Sequence, residues 1–403
     1  YQTNTSVDVA YVLKHSKARV LFCEDQEQVD KFMEARADLE HVERVIVFDP
    51  RGLRDYEEPR LSHFQEFMQA GRGLWEQDPD WFANELEARD PKEPAMVVYT
   101  SGTTGDPKGA LISSHNVLSI AGDMARELGV GDADTLLSYL PLCHVAEKIF
   151  TLFMPLSVGA VVHFGESIDT VRDDLREVSP TVFLGVPRIW EKLHSSIYIK
   201  IQETGRLRRS LFNRAMAACA PLATKPKAQW SLSDKARYGL WYWLVFRSLQ
   251  NYVGLRRCHI AMTGAAPISS GILEFFRTIG VPLVEVYGQT ESTGVATAQR
   301  PDNVQLGTVG EAVAGVEVKL GEQNEIIMRG ASMFSGYYKN SEATAEALRE
   351  GWLHTGDIGK FDEQGSLMIT DRKKDIIVNS GGDNISPQRI EGLMTLETEI
   401  SQA

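Results

Sequence analysis

The sequence predicts an α/β protein: a large N-terminal domain of parallel-rich α/β sheets with a small β-rich subdomain, then the start of a small mobile C-terminal α+β domain. Three observations carry this reading. A glycine-rich segment, Tyr99–Gly109, lies between a short apolar run and an amphipathic helical pattern. Apolar runs alternate with helical periodicity through the middle of the chain. From about residue 305 the pattern turns to short strands and Gly-rich turns.

The elements follow in order. Val9, Val12 and Leu13 mark a helix, and Ala18–Phe22 a strand. Ala95–Tyr99 reads as a buried strand leading into the glycine-rich loop. After the loop, Val117, Ala121, Met124 and Leu128 recur at helical spacing, with Ser113 or Ser114 as N-cap and Gly129 just past the end. Val161–Phe164, an amphipathic stretch around Val171, Leu175 and Val178, and Thr181–Val186 form a βαβ unit, which implies parallel strands and a right-handed crossover. His259–Thr263 and Val284–Tyr287 are further strands separated by a helical stretch. Residues 200–240, with Arg206, Arg208, Arg209, Lys225 and Lys227, read as surface helix and loop with solvated charge, with a basic patch as the alternative. Val316–Leu320, Glu325–Met328 and Ser366–Thr370 build the β-rich subdomain. There are no repeats and no low-complexity tracts.

Composition sets outer bounds. The chain has 403 residues, 43 % of them hydrophobic and 24 % charged, which is ample for a large core. A net charge of −13 argues against nucleic acid as the main partner and gives no general attraction to anionic lipid. A nucleotide site must then be a local positive island. The four cysteines, Cys23, Cys143, Cys219 and Cys258, are far apart and form no CxxC pair, so reduced thiols in a cytoplasmic enzyme and no zinc site are expected. No signal peptide or membrane span is present in the pattern. Leu240–Phe246 is too short to cross a bilayer. It reads as a buried aromatic helix face, with a peripheral membrane contact for delivery of a greasy substrate as the alternative.

The loop itself suggests chemistry. Tyr99–Gly109 holds three glycines, the hydroxyls of Thr100, Ser101, Thr103 and Thr104, and Lys108. Such a loop can turn N–H groups and hydroxyls onto phosphate oxygens. It is not a Walker A loop, which needs Gly before its Lys and Ser or Thr after it; here Pro107 and Gly109 flank Lys108.

The loop resembles the phosphate-binding signature of adenylate-forming enzymes: acyl-CoA synthetases, luciferase and peptide-synthetase adenylation domains. Four more segments resemble that family in its order. Tyr287–Thr293 is similar to its second nucleotide motif, Gly351–Asp357 to its ribose-binding segment, Asp371–Asp375 to its hinge, and Ser380–Pro387 to the start of its C-terminal domain. The resemblance implies a large domain over 1–370, a hinge over 371–375, and the beginning of a C-terminal domain over 376–403. It also implies a fragment of a longer enzyme, because the family's adenylation lysine has no counterpart here.

The resemblance implies these roles. Thr100, Ser101, Thr103, Thr104 and Lys108 cradle the β- and γ-phosphates of ATP. Thr290 touches the α-phosphate, and Glu291 holds Mg²⁺. Tyr287 and Gly288 lie along the adenine, with the backbone of Gly264, Ala265 and Ala266 on its other side. Asp357 and Arg372 take the ribose hydroxyls. His144, in Leu140–Ala146, orients the acyl carboxylate or the adenylate oxygen. Lys374 lies in the hinge that swings the small domain between two half-reactions. Gly381 and Gly382 suit approach of a CoA arm, whereas Asp383 departs from the lysine expected there. Gly185–Lys192, Thr263–Pro267 and Gly382–Glu391 resemble the long-chain acyl-CoA synthetase branch, including bubblegum-type members. The gating tryptophan of some long-chain enzymes is absent, with Lys148 near its place. The implied activity is a long-chain fatty acid–CoA ligase using ATP, Mg²⁺ and CoA. The alternatives are an adenylate-former for another acid or carrier protein, and a nucleotide- and acyl-binding module with little turnover.

Overall fold

The structure is a computed structural model that describes residues 1–100 and 106–373, with the backbone at 377–378 and 384–385. The chain divides into two compact units, Tyr1–Ser113 with Tyr337–Asn340, and Ser114–Gly336 with Ser341–Ala403.

The first unit opens on helix Ser6–Ser16. Thr5 caps it reciprocally: its Oγ1 accepts from the Asp8 N–H at 3.3 Å and its own N–H donates to the Asp8 carboxylate at 2.9 Å. Strands β1 (Val20–Cys23), β2 (Arg44–Val47) and β3 (Leu61–His63) form a parallel sheet in that order. Leu13, Val29, Phe32, Val45 and Val47 are its core. Strands β4 (Pro94–Thr100) and β5 (Lys108–Ser113) pair antiparallel, with Tyr99 opposite Gly109 and Thr100 opposite Lys108.

This pairing corrects the expected strand–loop–helix order. The glycine-rich loop joins two strands of a hairpin, and the helix begins only at Ser114. The reason is steric and local: a Cβ on Gly109 would lie 2.6 Å from a Val97 methyl, so a glycine there lets the return strand close onto β4. Within β4 only Val98 is fully buried, so the strand is not the enclosed one expected.

The second unit is built on seven strands: β6 (Thr135–Ser138), β7 (Val161–Phe164), β8 (Val182–Gly185), β9 (Ile260–Thr263), β10 (Leu283–Gln289), β11 (Gly294–Ala298) and β12 (Glu311–Ala312). Their order is β12-β11-β10-β9-β8-β6-β7, parallel from β7 to β10 and antiparallel at β11 and β12. The βαβ unit forms through helix Val171–Val178, with β6 inserted between β7 and β8. The connection direction therefore reverses at β6, and the crevice at the carboxyl ends of such strands is where open α/β sheets bind ligands. Helix Ser114–Leu128 buries Val117, Ala121 and Met124 as its spacing requires, and Gly129 follows at φ +67°.

Trp190, on helix Pro187–Gln202, locks that helix to the sheet. It is fully buried, packs edge-on against Phe183 and Phe276, and donates Nε1–H to the carbonyls of Gly185 (2.9 Å) and Met262 (3.2 Å). A Cβ on Gly185 would lie 2.6 Å from that nitrogen, so glycine makes the room.

In the first unit, Tyr337 of β15 (Gly336–Tyr337) adds to the β4–β5 hairpin. The small sheet of the second unit comprises β13 (Val316–Leu320), β14 (Glu325–Gly330), β16 (Leu348–Arg349), β17 (Trp352–Phe361) and β18 (Leu367–Arg372). It is antiparallel, in the order β13-β14-β17-β16 with β18 also on β17. Its strands lie where the alternating pattern places them. No helix among the described residues is long and apolar enough to cross a membrane.

The run Leu240–Phe246 also needs correcting. Helix Leu232–Trp241 continues through a π turn, Tyr242–Phe246, into helix Arg247–Tyr252. Phe246 is buried, but Leu240, Trp243 and Leu244 are exposed. A helix has two faces, and only one of them packs.

Replacing Trp190 with Ala removes a fully buried indole and strands two carbonyls. Urea unfolding should show a loss of about 3–5 kcal/mol. A loss near zero would mean that the helix is not anchored there.

Candidate functional site

In the second unit, the two segments expected to hold adenine and ribose meet at one carboxylate. Asp357 is 4 % exposed. Its Oδ2 accepts from Tyr287 Oη at 2.6 Å and from Gln289 Nε2 at 2.9 Å; its Oδ1 accepts from Arg372 Nε at 3.2 Å. Antiparallel register places Asp357 opposite Arg372, so the pair is set by β17 and β18 rather than by side-chain reach. Arg372 is half-exposed, and its two Nη groups make no hydrogen bond among the described residues. A carboxylate offers about four acceptor positions, so Asp357 keeps capacity for a hydroxyl donor. Burial, and then the Asp357 charge, push the Tyr287 phenol well above its ordinary pKa, and it stays a donor.

Glu325, at the start of β14, braces the same segment. It accepts from the Gly356 N–H at 3.0 Å, pairs with His354 at 3.2 Å, and has the Lys373 ammonium at 3.7 Å. These partners hold its carboxyl below the usual range despite burial.

After Tyr287 the strand bulges, and Gly288 is required there. A Cβ on Gly288 would lie 1.7 Å from the Gly294 carbonyl oxygen. The turn Thr290–Ser292 follows, with Thr293 left-handed at φ +57°. Thr293 Oγ1 donates to the Ser332 carbonyl at 2.5 Å, and Phe334 N–H donates to the Glu291 carbonyl at 2.8 Å. The turn that carries Thr290 and Glu291 is thus fixed by backbone contacts, and both side chains remain partly accessible. Gly264 is buried against β10, where a Cβ would meet the Val286 carbonyl oxygen at 2.7 Å. Ala265, at φ +69°, and Ala266 are exposed beside it.

His144 caps the short helix Val145–Glu147. Its Nδ1 accepts from the Ala146 N–H at 3.2 Å. That bond assigns the proton of a neutral ring to Nε2, and burial lowers its pKa, favouring the neutral form. His144 therefore presents an N–H donor. Its loop is tied down by Glu147, 1 % exposed, which accepts from Ser138 Oγ at 2.6 Å and Thr151 Oγ1 at 2.8 Å.

In the first unit, Lys108 lies 5.3 Å from the centre of the Tyr337 ring, and Thr100 Oγ1 donates to the Lys108 carbonyl at 3.4 Å. Ser101, Thr103, Thr104, Lys374, Gly381, Gly382 and Asp383 lie outside the described residues.

Sequence reasoning assigned no role to Gln289, Glu147, Glu285 or Glu325. Gln289 stood inside a quoted motif and could have been found there. Glu285 has no local signal. It pairs in register with Thr263, whose buried Oγ1 has no hydrogen-bond partner, and it shares a strand face with Tyr287. Burial pushes its carboxyl up to about 8. No group of three or more His, Cys, Asp or Glu side chains able to hold a metal occurs among the described residues. A divalent cation here would rest on Glu291 and on ligand oxygens. The four thiols are free.

Residues 1–338 match the family model described as AMP-binding enzyme. The chain is 33 % identical to the long-chain-fatty-acid–CoA ligase ACSBG2 of Xenopus laevis, covering 99 % of this chain and 55 % of that protein. It is 32 % identical to the ligase of the same name from Homo sapiens, covering 99 % and 61 %. The chain thus spans little more than half the length of these relatives. Among solved structures, the anthranilate CoA ligase AuaEII in complex with anthranoyl-AMP aligns at TM-score 0.69 and 19 % identity, covering 99 % of this chain and 67 % of that one. The o-succinylbenzoate coenzyme A synthetase of Bacillus subtilis, in complex with ATP and magnesium ion, aligns at 0.65 and 20 %, covering 97 % and 67 %. These two share the fold.

The Glu285 carboxyl titrates at about 8 when folded and near 4.3 when unfolded. Its contribution to stability is complete below the unfolded value and is lost as pH rises through about 8. Glu285→Gln cannot ionise, so its melting temperature should fall less than that of the native chain between about pH 5 and pH 8. Parallel pH profiles would show that this carboxyl is not held neutral.

Proposed function

The chain belongs to the AMP-binding enzyme family, and on that premise we propose that it carries the nucleotide and acyl sites of a long-chain fatty acid–CoA ligase. One observation carries the nucleotide half: the Asp357 carboxylate joined to Tyr287, Gln289 and Arg372. The acyl preference rests on likeness to fatty-acid ligases along nearly the whole chain. The large domain, the hinge at 371–375 with Lys374, the start of a C-terminal domain and a cytoplasmic setting are parts of the same proposal.

The chemistry has two steps. A fatty carboxylate oxygen attacks the α-phosphorus of ATP; the bond to the bridging oxygen breaks, and pyrophosphate leaves. The CoA thiol gives its proton to solvent, the thiolate attacks the acyl carbon, the bond from that carbon to the AMP phosphate oxygen breaks, and AMP leaves. A fatty acid is already ionised at neutral pH, so no general base is needed for the first step. His144 donates its Nε2–H to an oxygen of the reacting carboxyl group. Asp357 accepts from a ribose hydroxyl and Arg372 supplies donors beside it. Tyr287 and Gly264–Ala266 lie along the adenine, and Thr290 meets the α-phosphate. Thr100, Ser101, Thr103, Thr104 and Lys108 hold the outer phosphates. The hard oxygen of Glu291 fits Mg²⁺, which when bound neutralises charge on the phosphates.

Pyrophosphate release from ATP·Mg²⁺ tests the reading, with palmitate, octanoate and an aryl acid compared in the full-length enzyme. Palmitate should be the best of the three. Release with the aryl acid alone would move the substrate to another class. Glu291→Ala should lower the Mg²⁺-dependent rate roughly a hundredfold or more and leave the melting temperature unchanged. An unchanged rate would remove the metal role.

A further inference from the structure

The charge of the chain is unevenly placed. Between Lys200 and Arg247 there are ten lysines and arginines against two acids, Glu203 and Asp234, a net of +8 inside a chain of −13. Both acids are engaged: Asp234 pairs with Lys225 and Arg237, each at 2.7–2.8 Å, and Glu203 with Lys200. Arg206, Arg208, Arg209, Arg214, Lys227, Lys235 and Arg247 meet no carboxylate among the described residues. This is a local positive island in an acidic protein, and the nucleotide chemistry above does not use it.

The same segment exposes apolar side chains. Leu232, Ala236, Leu240, Trp243 and Leu244 recur at three- and four-residue spacing along one helix, and all are exposed, Leu232 at 86 % and Trp243 at 67 %. The opposite side of that helix buries Asp234 and Phe246. Arg247 stacks over Trp243, 4.7 Å from the ring centre, and its Nε has no hydrogen-bond partner. The helix packs on Arg206–Cys219, which exposes Leu207. Along that second helix, Arg206, Arg209, Ser210, Asn213, Arg214 and Ala217 line a shallow cavity of about 430 Å³. The buried Nε of Arg209 is also unpartnered.

We propose that this helical pair is a membrane-docking surface for anionic phospholipid. Tryptophan and leucine suit the boundary between headgroups and acyl chains, and arginines suit lipid phosphates. Each Lys or Arg near an anionic leaflet adds about 1 kcal/mol of attraction. The length fits a contact lying on the surface, since no helix among the described residues is long and apolar enough to cross a bilayer. Charge argues against a two-fold pairing of two copies, which would set the island against the same island. A bilayer presents both an apolar interior and a dense negative face. The inference is independent of which acid the enzyme activates.

Co-sedimentation tests it, using the native chain with vesicles of phosphatidylcholine alone or doped with phosphatidylglycerol. Binding should appear with the anionic vesicles and fall with added salt. Arg206→Glu with Arg209→Glu should weaken it more than about tenfold. Trp243→Ala should weaken it at unchanged melting temperature. Bilayer-embedded bromine should quench tryptophan emission of the native chain, with a smaller effect on Trp243→Phe. Equal binding to both vesicle types, no binding at all, or unchanged binding of the variants would overturn the proposal. So would a dimer in solution that Trp243→Ala dissolves, or equal capture by double-stranded DNA.

Discussion

The site depends on a buried carboxylate that is never left alone. Asp357 sits at 4 % exposure, and an unpaired charge there would cost several kcal/mol. Its three donors come from two sheets: Tyr287 and Gln289 from the end of a parallel strand, Arg372 from an antiparallel neighbour. One anion therefore fixes the small sheet against the large one. It does so where the parallel strands end and ligands are expected. Loss of its charge would release the phenol, the amide and the guanidinium together.

The position of that carboxylate is itself enforced. Thr355 Oγ1 donates to the Ile326 carbonyl at 2.7 Å and accepts from the Asp357 N–H at 3.0 Å. Glu325 holds the Gly356 N–H between them, and the β14–β17 register slips at this point. Gly356 is left-handed at φ +73°, a conformation that glycine adopts without strain. The local irregularity of β17 is thus held by one carboxylate and one hydroxyl, which leaves Asp357 turned toward Tyr287. The 290–293 turn is treated the same way, with Gly288 permitting approach and Thr293 and Phe334 fixing the exit. Preorganisation of this kind lets polar groups act without rearranging when a charged ligand arrives.

Much of this was legible in the sequence because it is local. Helix Ser114–Leu128 announced itself by spacing, and Tyr287, Asp357 and Arg372 by the motifs around them. What escaped was non-local. Nothing in Lys108–Ser113 says that it pairs back onto Pro94–Thr100, since the short run fits equally a loop and a helix cap. The insertion of β6 between β7 and β8 depends on strand order, which periodicity does not encode. Glu285 and Glu325 look like ordinary strand acids until register places one beside Thr263 and the other beside His354 and Lys373. A carboxyl raised by burial and one lowered by partners have the same letter in the sequence.

Leu240–Phe246 shows a different limit. Seven consecutive apolar residues suggest enclosure, but a helix carries successive residues around its axis and packs on one side only. The π turn over Tyr242–Phe246 adds to this by shifting the phase of the helix as it passes. Phe246 is turned inward, and Leu240, Trp243 and Leu244 are left outside. Solvent alone gives no reason to keep three large apolar groups there, since each exposed side chain forgoes burial worth about 1.5–3 kcal/mol. Their neighbours are cations without counter-charges, in a chain otherwise rich in acids. An apolar stripe edged with unpaired arginine is poorly matched to water and well matched to a negatively charged lipid surface.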